Sequence, residues 1–359
     1  MGGLSRRGFA ILTASLAAGS MIPGRSALAL RPRALREPGE GAAAPPRLFE
    51  WPSLRPGAWA TMPPKGSGTF GGGNCLLAVG KEGALLVDTK FTALGRTLRR
   101  EATNIAGASG AEKLTHVLNT HHHADHTGGN CAFGSDVKLM AHAKAASRIA
   151  AQIERYTGGI DGTVRQLAEL GLPEDVVKPV MEEADRVKAA SASMGPEHFA
   201  PNALIEQDTT EVDLGGMKVV LRHVGPGHTD NDVFVWLPEQ NVMHTGDLLF
   251  HRLNPYIDAG AGATTRGWQK SLAAMIELCN DETIVIPGHG ALTDRAGLQA
   301  QYDYFDQLRK VVAYAKDVDG MSREEAVKIQ PGAFKDLGFP QMLPNAIGVV
   351  YDELSAEAR

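Results

Sequence analysis

Apolar and polar positions along this chain fall into two blocks of short apolar runs, each interleaved with helical periodicity. The first block opens with Cys75–Val79 and Ala84–Val87, apolar throughout and joined by Lys81-Glu82-Gly83, which predicts a hairpin of buried strands. A helical stretch follows over 92–106, then strands over 114–120 and 137–140, with His142 at a helix start. Residues 143–194 read as helical. Ile149, Ile153 and Tyr156 share one face, and Val176, Val180, Ala184 and Val187 share another, with breaks at Gly158-Gly159 and Gly171-Leu172-Pro173. The strand pattern resumes over 210–214, turns at Gly215-Gly216, and continues over 217–223, 232–237 and 241–244. A helix over 266–278, a strand over 283–286, a long helix over 294–316 and a short one over 324–328 complete the pattern. Strands alternating with helices make this an α/β chain. Residues 48–359 read as one catalytic domain carrying a helical insertion at about 143–200 and C-terminal helices at about 294–359. The insertion suits a lid or a surface for self-association.

The run His121-His122-His123-Ala124-Asp125-His126-Thr127-Gly128-Gly129 interrupts this pattern with dense chemistry at the end of the 114–120 strand. Neutral imidazole is a common metal ligand, and a carboxylate supplies charge for a divalent ion. In an extended loop, positions two apart point the same way. His121 and His123 are therefore placed to share one ion, with His122 turned elsewhere and Asp125 and His126 free for a second ion. Upstream, five glycines between Gly66 and Gly73 precede a strand rather than a helix, so a flap beside a pocket fits better than a phosphate loop. Asp88, ending the 84–87 strand, reads on its own as a cap for the following helix.

Composition adds bounds. The 359 residues are 43% hydrophobic and 21% charged, ordinary for a globular chain. A net charge of −5 without a long basic run disfavours nucleic acid as a partner, leaving a small-molecule substrate as the expected one. Three scattered cysteines build neither a disulfide scaffold nor a zinc ribbon. The N-terminus differs in kind. Ser5-Arg6-Arg7-Gly8-Phe9 leads into an apolar run of 14 residues and then Ala27-Leu28-Ala29, the pattern of a twin-arginine signal over 1–29 cleaved after Ala29. That run is short of the ~20 residues a membrane-spanning helix needs, so the expectation is a periplasmic protein free of the membrane after cleavage. Loss of the signal removes three arginines and takes the formal charge from −5 to −8. Residues 30–47, rich in Pro, Gly and Ala, read as a flexible linker.

Three further segments repeat one grammar, a strand running into glycine and a ligand-type residue: Gly225-Pro226-Gly227-His228-Thr229, His244-Thr245-Gly246-Asp247 and Pro287-Gly288-His289-Gly290. With the histidine loop, in this order, the chain resembles the metallo-β-lactamase superfamily from about Gly72 to Gly290. The resemblance implies a four-layer αββα sandwich with metals at one edge. It assigns His121, His123 and His228 to a first metal, Asp125, His126 and His289 to a second, and Asp247 to both. It makes Asp88 a buried brace of the histidine loop rather than a ligand. Two divalent ions are implied, zinc first, with iron or manganese also fitting the donors. The implied reaction is attack of a metal-bridging hydroxide on an ester, thioester, lactone or β-lactam carbonyl, with Asp125 orienting the nucleophile and shuttling its proton.

An aspartate at 247 is more similar to glyoxalase II thioesterases and lactonases than to the best-known lactamases. A β-lactamase proper remains an alternative, as does a mononuclear iron persulfide dioxygenase-like oxidoreductase. No flavodoxin-like segment follows residue 290, and no Gly-x-Ser-x-Gly is present. His251 and Tyr256, soon after Asp247, are candidate pocket residues. The remaining histidines, 116, 142, 198, 223 and 244, read as packing or surface groups, and Cys131 as a buried small residue.

Overall fold

In a computed structural model, residues 46–111 and 113–358 are described. The signal segment and nearly all of the linker expected before them lie outside the described residues. Seven strands form one sheet in chain order: β1 (Ser53–Arg55), β2 (Ala58–Thr61), β3 (Cys75–Val79), β4 (Ala84–Val87), β5 (Leu114–Asn119), β6 (Lys138–His142) and β7 (Ala203–Ile205). Five more form a second sheet, ordered β12-β11-β10-β9-β8: β8 (Thr209–Asp213), β9 (Lys218–Arg222), β10 (Phe234–Leu237), β11 (Val242–His244) and β12 (Ile284–Ile286). Pairing is parallel across β4-β5-β6-β7 and across β11-β12, and antiparallel elsewhere.

Strand side chains alternate between two apolar environments, which is why the runs read as apolar throughout. Leu76, Leu85, Val87 and Leu118 of the first sheet meet Val219, Leu221, Val235 and Ile286 of the second, forming the core between the sheets. Cys75, Leu77, Leu86, Val117 and Leu139 face outward and pack against Leu98 and Ile105 of helix α1 (Gly95–Ala108) and against Leu94 just before it. On the other side, Phe234, Met243 and Val285 pack against Trp268, Leu272, Phe305, Leu308 and Ile347. Those residues come from α7 (Thr265–Leu278), α8 (Arg295–Asp317) and α10 (Leu343–Glu357). The architecture is an αββα sandwich. Among the described residues no helix is long and apolar enough to cross a membrane.

Between β6 and β7 the chain forms α3 (Ala143–Ala150), α4 (Ile153–Gly158), α5 (Ile160–Glu169) and α6 (Glu174–Ser191), with Tyr156, Ile160, Val187 and Phe199 buried among them. A short helix α2 (Ala124–Thr127) lies within the histidine loop, and α9 (Arg323–Ala326) precedes α10. Four elements escaped the sequence pattern: β1, β2, β7 and α2. The strands are three or four residues long, too short to display an alternation. The helix predicted over 92–106 starts as a 3-10 turn at Thr92–Leu94 and runs on to Ala108. Asp88 caps neither; the residue at that N-cap position is Phe91.

Candidate metal centre

Parallel neighbours place successive strand ends on one rim, and this is how distant residues meet. Asp88 follows β4, the histidine loop follows β5, Asp247 follows β11 and His289 follows β12. His228 reaches the same rim from the β9–β10 connection. Within the loop, His123 is still extended, and the single turn of α2 then swings Asp125 and His126 around.

The donors fall into two groups. One nitrogen or oxygen from each of His121, His123, His228 and Asp247 lies within 4.8 Å of the others, and the same holds for Asp125, His126 and His289. Asp247 joins them. Its Oδ2 lies 3.7 Å from His121 Nε2, 3.5 Å from His228 Nε2 and 3.4 Å from His289 Nε2, while its Oδ1 lies 3.1 Å from His126 Nε2. Asp125 Oδ2 is 3.1 Å from His289 Nε2 and 3.5 Å from His126 Nε2. His121 Nε2, His126 Nε2 and Asp247 Oδ1 are buried yet make no hydrogen bond, although two of them are only 3.1 Å apart. Such orphans are costly, and three converging on one point fit a missing cation.

The ring nitrogens facing away from that point are occupied. Thr120 Oγ1 lies 3.0 Å from His121 Nδ1, the Tyr256 carbonyl accepts from His228 Nδ1 at 2.8 Å, and Asp88 Oδ2 lies 2.7 Å from His126 Nδ1. His123 is turned the other way: its Nδ1 is 2.9 Å from His228 Nε2, and its Nε2 pairs with Asp258 Oδ2 at 2.9 Å. Outer partners of this kind fix the tautomer and aim the lone pair inward. Two glycines allow the approach of neighbouring segments. A Cβ on Gly288 would sit 2.0 Å from Asp247 Oδ1, and one on Gly73 would sit 2.1 Å from the His126 ring.

The metallo-beta-lactamase superfamily profile matches residues 68–289, more than half of the chain. The chain belongs to the metallo-β-lactamase superfamily. A metallo-beta-lactamase type 2 of Bacillus cereus is 29% identical over 114 residues, 30% of this chain and 44% of that protein. The chain thus spans less than half the length of that relative. A second metallo-beta-lactamase type 2, from Bacillus sp. (strain 170), is 23% identical over 222 residues, covering 62% of this chain and 68% of its own. Among solved structures, a metallo-beta-lactamase from Pontibacter korlensis superposes with a TM-score of 0.50 at 20% identity, over 72% of this chain and 99% of that one. The stereoselective inverting sec-alkylsulfatase of Pseudomonas sp. superposes at 0.56 and 17% identity, over 85% of this chain and 50% of that one. These structural likenesses describe the fold.

Within this metallo-β-lactamase fold the two groups differ electrostatically. Burial pushes His121 and His228 down, His228 to about 3, so these two present neutral imidazoles. Burial acts the same way on His126 and His289, but Asp247 and Asp125 outweigh it, holding His126 well above its ordinary range and His289 up to about 9. Burial would raise Asp125 and Asp247; the neighbouring His126 and His289 reverse that and keep both low. Without an ion, the second group therefore balances its carboxylates with protons, which a cation would have to displace.

The other predicted residues separate. Tyr256 packs its ring 5.9 Å from His123, on the first-group side. His251 lies on the second-group side, lining with His289 a groove of about 490 Å³. His122 is buried behind the loop, 3.2 Å from Asn231 Nδ2 and 3.7 Å from the Asp258 carboxylate that also holds His123. It faces away from the donor point but supports it. His244 is buried and donates to the Asn74 carbonyl at 3.0 Å, His142 caps α3, and Cys131 is buried.

Sequence reasoning missed Asp258 and Lys90. Asp258 lies in an irregular segment with no motif to announce it. Lys90 is fully buried, donates to the Gly73 carbonyl at 2.8 Å and sits 4.7 Å over the Phe49 ring; burial lowers its pKa. It ties down one end of the glycine stretch expected to form a flap. Gly73 also donates to the Asp125 carbonyl, whereas Gly66 and Gly68 stand in open space. Only the far end of the stretch is free of close neighbours.

The helices between β6 and β7 also reach this loop. Tyr156 Oη is 2.8 Å from Thr127 Oγ1, Gln152 donates to the His122 carbonyl at 2.6 Å, and Arg148 pairs with Asp230. Through these contacts they hold the histidine loop in place.

Proposed function

We propose that this protein is a dinuclear metal-dependent hydrolase acting on an ester, thioester, lactone or β-lactam carbonyl. The observation that carries the reading is the Asp247 carboxylate, which lies 3.1–3.7 Å from imidazole nitrogens of both donor groups. A mononuclear site, as in an iron dioxygenase, has no use for a carboxylate so placed or for Asp125, His126 and His289 beside it. His121, His123 and His228 would hold the first ion, Asp125, His126 and His289 the second, and Asp247 both. The donor set of imidazole and carboxylate without thiolate suits zinc, with iron or manganese also accommodated.

Two such ions supply a water acidified to near neutral pH and a positive charge that polarises the substrate oxygen. The protein does the rest. Asp88, Thr120, Asp258 and the Tyr256 carbonyl hold the imidazoles in one orientation, so no reorganisation is needed as charge develops. Asp125 is the most open of the seven donors, its side chain 20% exposed, against 12% or less for the other six. Its free oxygen is thus the one placed to orient an incoming water and take its proton. The buried histidines and Asp247 exclude bulk water from the inner side.

The test is metal analysis of protein purified without added metal, together with a panel of lactone, thioester, ester and cephalosporin substrates. Two zincs per chain with turnover of a panel member supports the reading; a single iron with oxygen uptake on a persulfide overturns it. We further propose export through the twin-arginine segment. Cell fractionation would check it, and a cytoplasmic mature chain retaining residues 1–29 would refute it.

A further inference from the structure

Beyond the two donor groups, one further cluster of ligand-type atoms stands among the described residues. His122, His123 and Asp258 each offer one atom, and these lie within 4.8 Å of one another. The cluster is on the far side of the His123 ring from the first donor group. His123 Nδ1 is 2.9 Å from His228 Nε2, whereas its Nε2 is 2.9 Å from Asp258 Oδ2. Successive residues of an extended segment point to opposite sides, so His122 turns away from the inner centre as His123 enters it. Their rings nevertheless stay close, with centroids 4.6 Å apart. Both present Nε2 to the same oxygen, His122 at 3.7 Å. Asp258 is itself anchored: its Oδ1 accepts from the Ala261 amide at 3.1 Å, which leaves Oδ2 for the imidazoles.

His122 is the informative member. It is buried, only 7% exposed, and Gln152 fixes its backbone by donating to its carbonyl at 2.6 Å. Asn231 holds the ring from behind, with Nδ2 3.2 Å and Oδ1 3.4 Å from His122 Nδ1. A side-chain amide with both ends at one ring nitrogen serves either tautomer. Among the described residues nothing hydrogen-bonds to Nε2, because 3.7 Å is too long for such a bond to Asp258. Leaving a buried polar atom unpaired is costly. An imidazole held through one nitrogen, with the other free and aimed at a carboxylate, is the arrangement that outer partners give to a metal ligand.

We propose that His122, His123 and Asp258 form an outer site for a zinc ion, which shares the His123 imidazole with the first ion of the centre. The sharing rests on the dinuclear reading; the outer ligands do not. Two imidazoles and a carboxylate make a donor set that zinc accepts, with a position left for water. On binding, the N–H bond at His123 Nε2 gives way to a bond to zinc, and the proton leaves to solvent. Asp258 then ligates instead of accepting that proton, and Asn231 Oδ1 accepts from His122 Nδ1. One proton exchanged for a divalent ion adds one positive charge beside the first ion. Like charge across a shared ring makes this site weaker than the inner two, and it couples the centre to the free zinc concentration.

The test is calorimetric titration of zinc into the native chain already carrying two zincs. The expected result is one further event, weaker than either of the first two and releasing about one proton. Repeating the titration in buffers of different ionisation enthalpy counts that proton. His122→Gln removes the ligand but keeps a polar side chain, and should weaken the further event roughly tenfold or more while metal analysis still finds two tightly held zincs. Asp258→Asn, which keeps the shape of the carboxylate without its charge, should weaken it likewise. A third ion bound as tightly by both variants overturns the outer site and leaves the dinuclear reading standing. A third event without proton release overturns the sharing of His123. Should the native chain hold only two ions in all, His122→Gln separates the readings: two retained overturns the outer site, whereas one lost overturns the dinuclear centre instead.

Discussion

Asp88→Asn separates the bracing of the site from the stability of the fold. The Asp88 carboxylate is fully buried and accepts from the Thr120 amide at 2.8 Å and the Thr120 hydroxyl at 2.9 Å, with His126 Nδ1 2.7 Å away. Truncation to alanine would strand two buried donors on Thr120, at about 1–3 kcal/mol each. It would also place alanine at φ 65°, adding about 1–2 kcal/mol. Asp88→Ala should therefore lose roughly 3–8 kcal/mol, enough to unfold an ordinary domain. Asparagine keeps the shape, tolerates the left-handed backbone and retains one acceptor for the Thr120 amide. What it cannot do is accept twice. Its NH₂ turns His126 Nδ1 into an acceptor, so the ring proton moves to Nε2, the nitrogen 3.1 Å from Asp247 Oδ1. The lone pair aimed at the second ion is then gone. Asp88→Asn should fold, with a melting temperature close to the native one after chelation, yet bind its weaker zinc about 10–100-fold less tightly. Competition titration against a zinc-chelating dye reads this directly. Native affinity at both sites in a folded Asn variant would refute the bracing argument.

Asp247→Ala should lower metal content and turnover together, since both donor groups lose their shared oxygen; two zincs retained at full activity would show that it bridges nothing. Gly288→Ala places a methyl 2.0 Å from Asp247 Oδ1 and should act like a weaker Asp247 substitution on metal content, checked by the same metal analysis. The chelated protein should be pH-sensitive in a defined window. Burial lowers His289, but Asp247 and Asp125 raise it from its ordinary 6.5 to about 9, so its stabilisation is complete below pH 6.5 and lost as pH rises through 9. Thermal melts of chelated protein should therefore fall between pH 6.5 and 9, while zinc affinity rises over the same range as the proton is displaced more easily. A flat chelated profile would sink that account.

Much of the sandwich was legible because β3, β4 and β10 read as unbroken apolar runs, packed on both faces. The candidate donors were legible because four of them crowd into one run after β5, while His228, Asp247 and His289 each directly follow a glycine beyond a strand. Short edge strands such as β1 and β7 carry too few residues to show a period. Asp258 and Lys90 were invisible for another reason. Asp258 acts through a hydrogen bond to a residue 135 positions away, and nothing local in its segment differs from an ordinary loop. Lys90 is polar in a stretch whose burial depends on Phe49 and Gly73 folding over it. His122 is a partial case. Extended-loop geometry correctly turns it away from the donor point, yet the fold closes Asn231 and Asp258 around it.

The two donor groups draw on strand ends from both sheets, and the apolar layer between those sheets has no covalent tie. Ions seated at the rim would act as a cross-link between chain segments as far apart as His121 and His289, closing a long loop at the cost of its entropy. Metal uptake then belongs to the mechanics of the whole sandwich as much as to its chemistry. A chain stripped of metal would part first at this rim, like a book opened from the unbound edge, while the far side stayed shut under its helices.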